Sequence, residues 1–279
     1  MINPIFPWVY LVGIAAAEII VGYWSIRGGM VLHIILLFAV LVQASISYYR
    51  AEPQENEQGV AGVANSREAG AFLGYRFYIG LTLAPMIRIL SLAIPLRGVN
   101  MQYWYLITGI PLLAATLTAI KLAGYSRRDI CLCPGEYRAP LRNMGLHMAV
   151  ALIGIPLGFM EYLILRPDPL IPQLTAQGLI TMGLILIIFT GFSEELLFRG
   201  VLKKAADDLM GEERSLIYVS LMFAVMHITH ISMQDVVFVF GVAVLFTLLV
   251  RRTGSLYGVS LAHGLTNINL FIIAPLLLG

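Results

Sequence analysis

An all-α, polytopic bundle of transmembrane helices is the fold class this sequence predicts, with about nine spans, eight at the least, and a cytoplasmic N-terminus. Three observations predict it. First, 59% of the 279 residues are hydrophobic and 12% are charged, with a mean hydropathy of +0.84. A soluble domain is nearer half apolar and a quarter charged, so too little polar surface exists to cover a water-facing body, and the composition equally excludes disorder. Second, apolar runs of about 20 residues, the length of a spanning helix, recur along the whole chain. Third, the basic residues collect in alternate loops, as cytoplasmic loops collect them. The formal charge of +2 excludes the basic stripe that nucleic-acid binding requires.

Taken in order, the predicted spans are Ile5–Ser25, Met30–Tyr49, Phe77–Leu96, Met101–Leu122, Met144–Leu165, Gly178–Phe198, Ser215–Ile231, Val236–Val250 and Ser255–Leu278. The third carries Pro85 and Arg88, and the eighth is short. Between Arg50 and Arg76, the run Pro53-Gln54-Glu55-Asn56-Glu57-Gln58 reads as a loop. Loops after spans two, four, six and eight hold fourteen of the eighteen Lys and Arg, among them Arg50, Arg67, Arg76, Arg127, Arg128, Arg138, Lys203, Lys204, Arg251 and Arg252. The opposite loops hold only Arg27, Arg97 and Arg166. A wrong span count would scramble this alternation. The N-terminus has no basic n-region and no cleavage site, so the first run is expected to be retained. Cys131 and Cys133 are spaced C-x-C in a charged loop, which matches neither a redox pair nor half a zinc site, and a structural or incidental role is expected. The chain is expected to form one membrane domain over residues 1–279, with the chemistry in 178–271 and spans of unassigned role in 1–125.

Charges at membrane depth are functional candidates by default. Glu18, Arg88 and Glu161 fall in spans one, three and five, where Arg88 is expected to pair with one of the acids or to reach interfacial water. His33 and His147 read as satisfied structural histidines. A second group differs. Span six ends in Gly191-Phe192-Ser193-Glu194-Glu195-Leu196-Leu197-Phe198-Arg199, span seven holds Phe223-Ala224-Val225-Met226-His227, and span nine holds His263-Gly264-Leu265-Thr266-Asn267. At 1.5 Å per residue, Glu194, His227 and His263 fall roughly 6, 18 and 12 Å from the cytoplasmic ends of their spans, so the three helices can meet in that half of the membrane.

Helix geometry suggests roles. Glu195 and Arg199 are i,i+4 with the acid first, the favourable ion-pair order. Glu194 points about 100° away, which leaves its carboxylate free to act as a general base on water, with His227 able to share that water. His263 and Asn267, also i,i+4, project from one face and offer two donors to one point, as an oxyanion hole requires. Phe223, one turn before His227, is expected to pack against that ring, and His230 to support it. Ser193 reads as a small packing residue, because the run lacks the closing glycine of a nucleophile elbow. No H-E-x-x-H is present. Glu194, His227 and His263 are chemically competent ligands for a divalent metal such as zinc.

The ordered set E-E-x-x-x-R, F-x-x-x-H and H-x-x-x-N, each on its own span, resembles the CAAX-protease and bacteriocin-processing (CPBP, or Abi) family, whose eukaryotic relative is the Ras-converting CAAX endopeptidase. The resemblance covers about residues 178–271. It implies a glutamate-dependent intramembrane endopeptidase in which Glu194 and His227 activate water, His263 and Asn267 form the oxyanion hole, and Glu195, Arg199 and Phe223 support them. It implies no metal and no cofactor, and as substrate a membrane-tethered or lipidated protein, such as a prenylated CAAX C-terminus, met in the bilayer. The setting would be the cytoplasmic membrane of a prokaryote or the endoplasmic reticulum of a eukaryote. Two other readings use the same residues: a non-proteolytic immunity or scaffold protein knit by interhelical hydrogen bonds, and a proton-coupled small-solute carrier.

Overall fold

In the computed structural model, which describes residues 4–51, 66–94, 98–100, 103–135 and 140–279, the chain is a bundle of helices without strands among the described residues. The helices are α1 (Phe6–Tyr23), α2 (Ile26–Ala51), α3 (Ser66–Ala93), α4 (Trp104–Ala123), α5 (Pro140–Leu165), α6 (Ala176–Met210), α7 (Glu212–Val225), α8 (Met233–Thr253) and α9 (Tyr257–Leu278). Eight of them, all but α7, are long and apolar enough to cross a membrane. Outward-facing positions such as Val12, Phe38, Leu163, Ile180 and Val237 are exposed and apolar, the surface a lipid-facing bundle presents.

Three predicted elements come out differently. The third span starts eleven residues early, at Ser66 rather than Phe77, so the second half of the Arg50–Arg76 segment is helix. Its first half, with Pro53 to Gln58, lies outside the described residues, as do Arg97, Arg138 and the side chain of Arg67. The sixth span does not stop at Phe198: α6 runs 35 residues, about 52 Å. Its charged last turns are held in register by the i,i+4 pairs Lys203–Asp207, 2.5 Å, and Lys204–Asp208, 2.6 Å. Glu194 therefore lies near the middle of its helix, about 24 Å from the end at Met210, and not 6 Å from an end.

The seventh predicted span, Ser215–Ile231, is the 14-residue α7 followed by a 3-10 turn at Ile228–His230. Short as it is, α7 still returns the chain to the other side. Arg251, in the last turn of α8, bonds Glu212 at 3.1 Å and Glu213 at 2.8 Å in the first turn of α7. Those two helix ends are therefore level and the helices antiparallel. Arg76 and Tyr125 reach Asp208 on α6, at 4.0 and 3.3 Å, and the Leu256 N–H donates to Cys131 O at 2.9 Å. The ends after spans two, four, six and eight thus gather on one side of the bundle, as the charge alternation requires. Cys131 and Cys133 are free, and the Cys133 thiol donates to Gly254 O at 3.3 Å, so both serve this junction.

α9 sits between α5 and α6, and glycines set how closely. A Cβ at Gly154 would lie 2.0 Å from Ala262 O, one at Gly158 2.3 Å from Thr266 O, and one at Gly191 2.7 Å from Gly264 N. Without side chains there, the α5 and α6 backbones press against α9, the close approach that small residues permit in membranes.

The N-terminal helices clasp α7. Trp8 and Phe77 pack on the Tyr218 ring, with centroids 5.5 and 5.8 Å apart. Arg88 chooses Glu18 among the candidate acids: Nη2 is 2.8 Å from Oε2 and Nε 2.9 Å from Oε1. His33 Nε2 lies 3.2 Å from the same carboxylate. Arg88 Nη2 also donates to Met226 O, 2.8 Å, and to Thr229 Oγ1, 2.9 Å, gripping the turn on either side of His227. Arg88→Met strands a fully buried Glu18 and frees that turn, and breaking a buried pair from one side costs on the order of 3 kcal/mol. The detergent-solubilised variant is expected to melt at a clearly lower temperature; an unchanged melting curve would show that the tie carries no stability. His147 is half satisfied, its Nε2 donating to Pro134 O at 3.1 Å while the buried Nδ1 has no hydrogen-bond partner among the described residues.

Candidate active site

The middle of α6 departs from regular α geometry. Residues Leu186–Phe192 and Leu196–Leu202 are wound as π-helix on either side of Ser193–Glu195. Such widenings occur often at functional sites. Ser193 is fully buried at this crossing, in keeping with a packing role. The i,i+4 pair survives the rewinding, with Arg199 Nη1 donating to Glu195 Oε1 at 2.9 Å.

Two carboxylates face one imidazole. His263 Nδ1 is 2.9 Å from Glu195 Oε1, and His263 Nε2 is 3.9 Å from Glu194 Oε2. A carboxylate that also accepts from arginine accepts from His263 as well, so the Nδ1 proton is committed to Glu195 and Nε2 is turned to Glu194. Glu194 makes no hydrogen bond among the described residues and stays free. Phe223 stands at the junction of these groups: Arg199 Cζ lies 4.3 Å above its ring, and the rings of His227, His263 and Phe198 lie 4.9, 5.9 and 4.9 Å away. It is a wall that orients both histidines and a π surface for the guanidinium.

His227 and Asn267 are set by backbone and hydroxyl partners. His227 Nδ1 is 2.9 Å from Phe223 O; a carbonyl only accepts, so Nδ1 carries a proton and Nε2 of the neutral ring is left as an acceptor. Asn267 Nδ2 donates to Thr190 Oγ1 at 2.8 Å. Because the Thr190 hydroxyl gives its only proton to Leu186 O, its oxygen must accept, which fixes the amide orientation and leaves a second Nδ2 proton free. His227, His263, Asn267, Phe223 and Glu161 line a cavity of about 30 Å³, space for a water or two. A larger cavity of about 220 Å³ lies at the charged end of α6, lined by Arg199, Lys203, Lys204 and Arg251 together with Asp129, Asp207 and Glu212.

The structure brings Glu194, Glu195, Arg199 and His263 into one contact chain, and His227, His263 and Asn267 onto one cavity, with Phe223 touching both sets. It shows no direct bond between Glu194 and His227. Among the described residues no three His, Cys, Asp or Glu side chains converge to hold a metal ion, so zinc on Glu194, His227 and His263 would require those side chains to move. His230 contacts the His227 ring at 5.2 Å and is held by Asp235, Nδ1 to Oδ2 2.8 Å.

Three neighbours escape the sequence motifs. Thr190 is an unremarkable residue one turn before Glu194. Asp235 reads as a helix-end acid, although it is fully buried behind His230. Glu161 was visible as an acid in an apolar run, but spacing gives no hint that it reaches this cavity.

Comparison with known proteins agrees with the motif resemblance. Residues 176–269, about a third of the chain, match the family model described as Rce1-like type II CAAX prenyl endopeptidase. No curated protein and no solved structure matches the chain.

Proposed function

We propose, from the match of residues 176–269 to the family model of Rce1-like type II CAAX prenyl endopeptidases, that this chain is a multi-pass intramembrane endopeptidase working by glutamate-activated water. The single observation that carries the reading is one histidine, His263, set between two carboxylates, Glu195 buried and bonded to it and Glu194 part-exposed 3.9 Å away, beside a water-sized cavity that His227 and Asn267 also line.

Glu194, uncommitted, is the base that takes a proton from water. The acceptor Nε2 of His227 holds the same water as its oxygen adds to the scissile carbonyl carbon. The carbonyl oxygen then becomes an oxyanion, and the free Nδ2 proton of Asn267 and an Nε2 proton of His263 are the donors placed to meet it. Glu195 keeps His263 oriented through Nδ1, Arg199 neutralises Glu195, and Thr190 holds Asn267. These roles need no metal and no cofactor. With the basic ends of spans two, four, six and eight in the cytoplasm, the substrate is a membrane-tethered segment arriving along the inner leaflet, and a prenylated CAAX C-terminus has that form. The three motifs then lie within residues 178–271, with the N-terminal helices bracing α7.

The test is cleavage, in proteoliposomes, of a prenylated CAAX peptide beside its unprenylated twin, with Glu194→Gln as control. Cleavage of the prenylated peptide by wild type alone is expected, unchanged by chelators. Activity lost to a chelator and restored by zinc would overturn the metal-free mechanism. Equal cleavage of both peptides would remove the lipid from recognition, and solute transport with no proteolysis would favour a carrier.

A further inference from the structure

Glu161 is 7% exposed, and among the described residues it makes no hydrogen bond and no ion pair. It stands outside the three motifs and outside the family-matched segment, yet it lines the same cavity as His227, His263 and Asn267. Its position follows from the α5–α9 contact. Gly154 and Gly158 seat α5 directly on the α9 backbone at Ala262 and Thr266, and Thr266 Oγ1 reaches across to Gly154 O at 3.2 Å. Glu161 is three residues beyond Gly158, on the same helix face; the register that sets Gly154 on Ala262 and Gly158 on Thr266 brings it level with Asn269, two residues past Asn267 on the cavity wall. The groups that act on it electrostatically are Asp235, His230, His263 and Glu194. None of them forms a pair with it.

Burying an unpaired carboxylate is far more costly than burying a carboxylic acid, so the group arrives at the cavity as a proton donor. Amide hydrolysis needs one. An amine leaves a tetrahedral intermediate only after its nitrogen is protonated; His227, His263 and Asn267 are engaged with the water and the oxyanion, and Glu161 is the carboxyl that shares their cavity, which Glu194, holding the proton taken from water, does not line. Two carboxyls with opposite duties on one reacting centre is a recurrent solution.

We propose that Glu161 is the catalytic acid that protonates the leaving amine of the scissile peptide bond. The role rests on the endopeptidase reading above. Water oxygen bonds to the carbonyl carbon as Glu194 takes one water proton, and the carbonyl π pair moves onto oxygen. The nitrogen lone pair then takes the Glu161 proton, the oxyanion pair returns to re-form the carbonyl, and the C–N bond breaks with its electrons going to nitrogen. The products are a carboxyl terminus and a free amine. Glu194 has gained one proton and Glu161 has lost one, and exchange with water resets both.

An ester separates this acid from the rest of the machinery, since an alkoxide leaves without prior protonation. The cleavable peptide and a depsipeptide twin, with an ester at the scissile bond, are compared for wild type, Glu161→Gln and Glu194→Gln. Glu161→Gln is expected to lose about 10²-fold or more on the amide and to stay within about 3-fold of wild type on the ester, a retained activity that also shows that it folds. Glu194→Gln is expected to lose both. If Glu161→Gln does not fold, Glu161→Leu is put through the same pair. Parallel loss on amide and ester, or full amide activity, overturns the role while leaving the endopeptidase reading intact. A wild type inactive on both substrates overturns the two together.

Discussion

Replacing Glu194 by glutamine is expected to lower turnover of a cleavable peptide by about 10³-fold or more, the upper range for loss of a general base. Helix content and melting temperature should stay at wild-type values. Both parts follow from the commitments in the site. Glu195 accepts from Arg199 and His263, each at 2.9 Å, whereas Glu194 is only within 3.9 Å of His263 Nε2. Removing its charge breaks no hydrogen bond, and glutamine matches its volume, so stability is spared. What disappears is the acceptor for the water proton. His227→Ala should produce a comparable loss, because its Nε2 holds the same water. Groups that act as one unit are not additive, so the double variant should be little worse than the worse single. A Glu194→Gln protein with a tenth or more of wild-type activity, or a double variant equal to the product of the singles, would remove Glu194 from the proton transfer.

The reach of the sequence can be seen residue by residue. Local periodicity is written in one stretch of chain, so the i,i+4 pair Glu195–Arg199 and the shared face of His263 and Asn267 were legible, and both recur in the structure. Composition and loop charge carried the architecture for the same reason. Contacts between distant segments were not legible: nothing in spacing decides that Arg88 takes Glu18 and leaves Glu161 to the cavity, since that depends on how closely glycine-bearing helices approach. Helix length failed where charge misled. Lys203 to Asp208 looks like the start of a cytoplasmic loop, but its acids and bases fall four apart and continue α6. α7 failed the other way, as Met226, Ile228 and Ile231 prolong the apolar pattern past a helix that ends at Val225. The depth of Glu194 fell with the first error, and with it the arithmetic that had the three helices meeting, although the motif residues do come together.

Arg199→Met is expected to destabilise the protein by roughly 3–5 kcal/mol, the cost of breaking a buried ion pair from one side. The Arg199 and Glu195 side chains are 1% and 0% exposed. Methionine fills much of the space over Phe223 but leaves the Glu195 carboxylate buried with His263 as its only partner among the described residues. The melting temperature in detergent should fall accordingly, and turnover with it, because the carboxylate that anchors His263 Nδ1 has lost its counter-charge. The double variant Glu195→Gln/Arg199→Met separates the two effects. With both charges gone, no buried ion is stranded, and replacing a whole buried pair by uncharged groups of similar volume is often neutral or stabilising. Its melting temperature should return close to wild type. Turnover should not, since a neutral amide oxygen holds the His263 N–H more weakly than a carboxylate does and does nothing to favour charge on the ring that faces the oxyanion. A loss of about 10- to 100-fold in kcat with KM little changed is expected, the pattern of an interaction made in the transition state. If the single variant melts like wild type, the pair is not what holds this part of α6. If the double variant recovers activity along with stability, Glu195 serves the fold alone, and His263 is positioned by Phe223 and the α6–α9 contact without it.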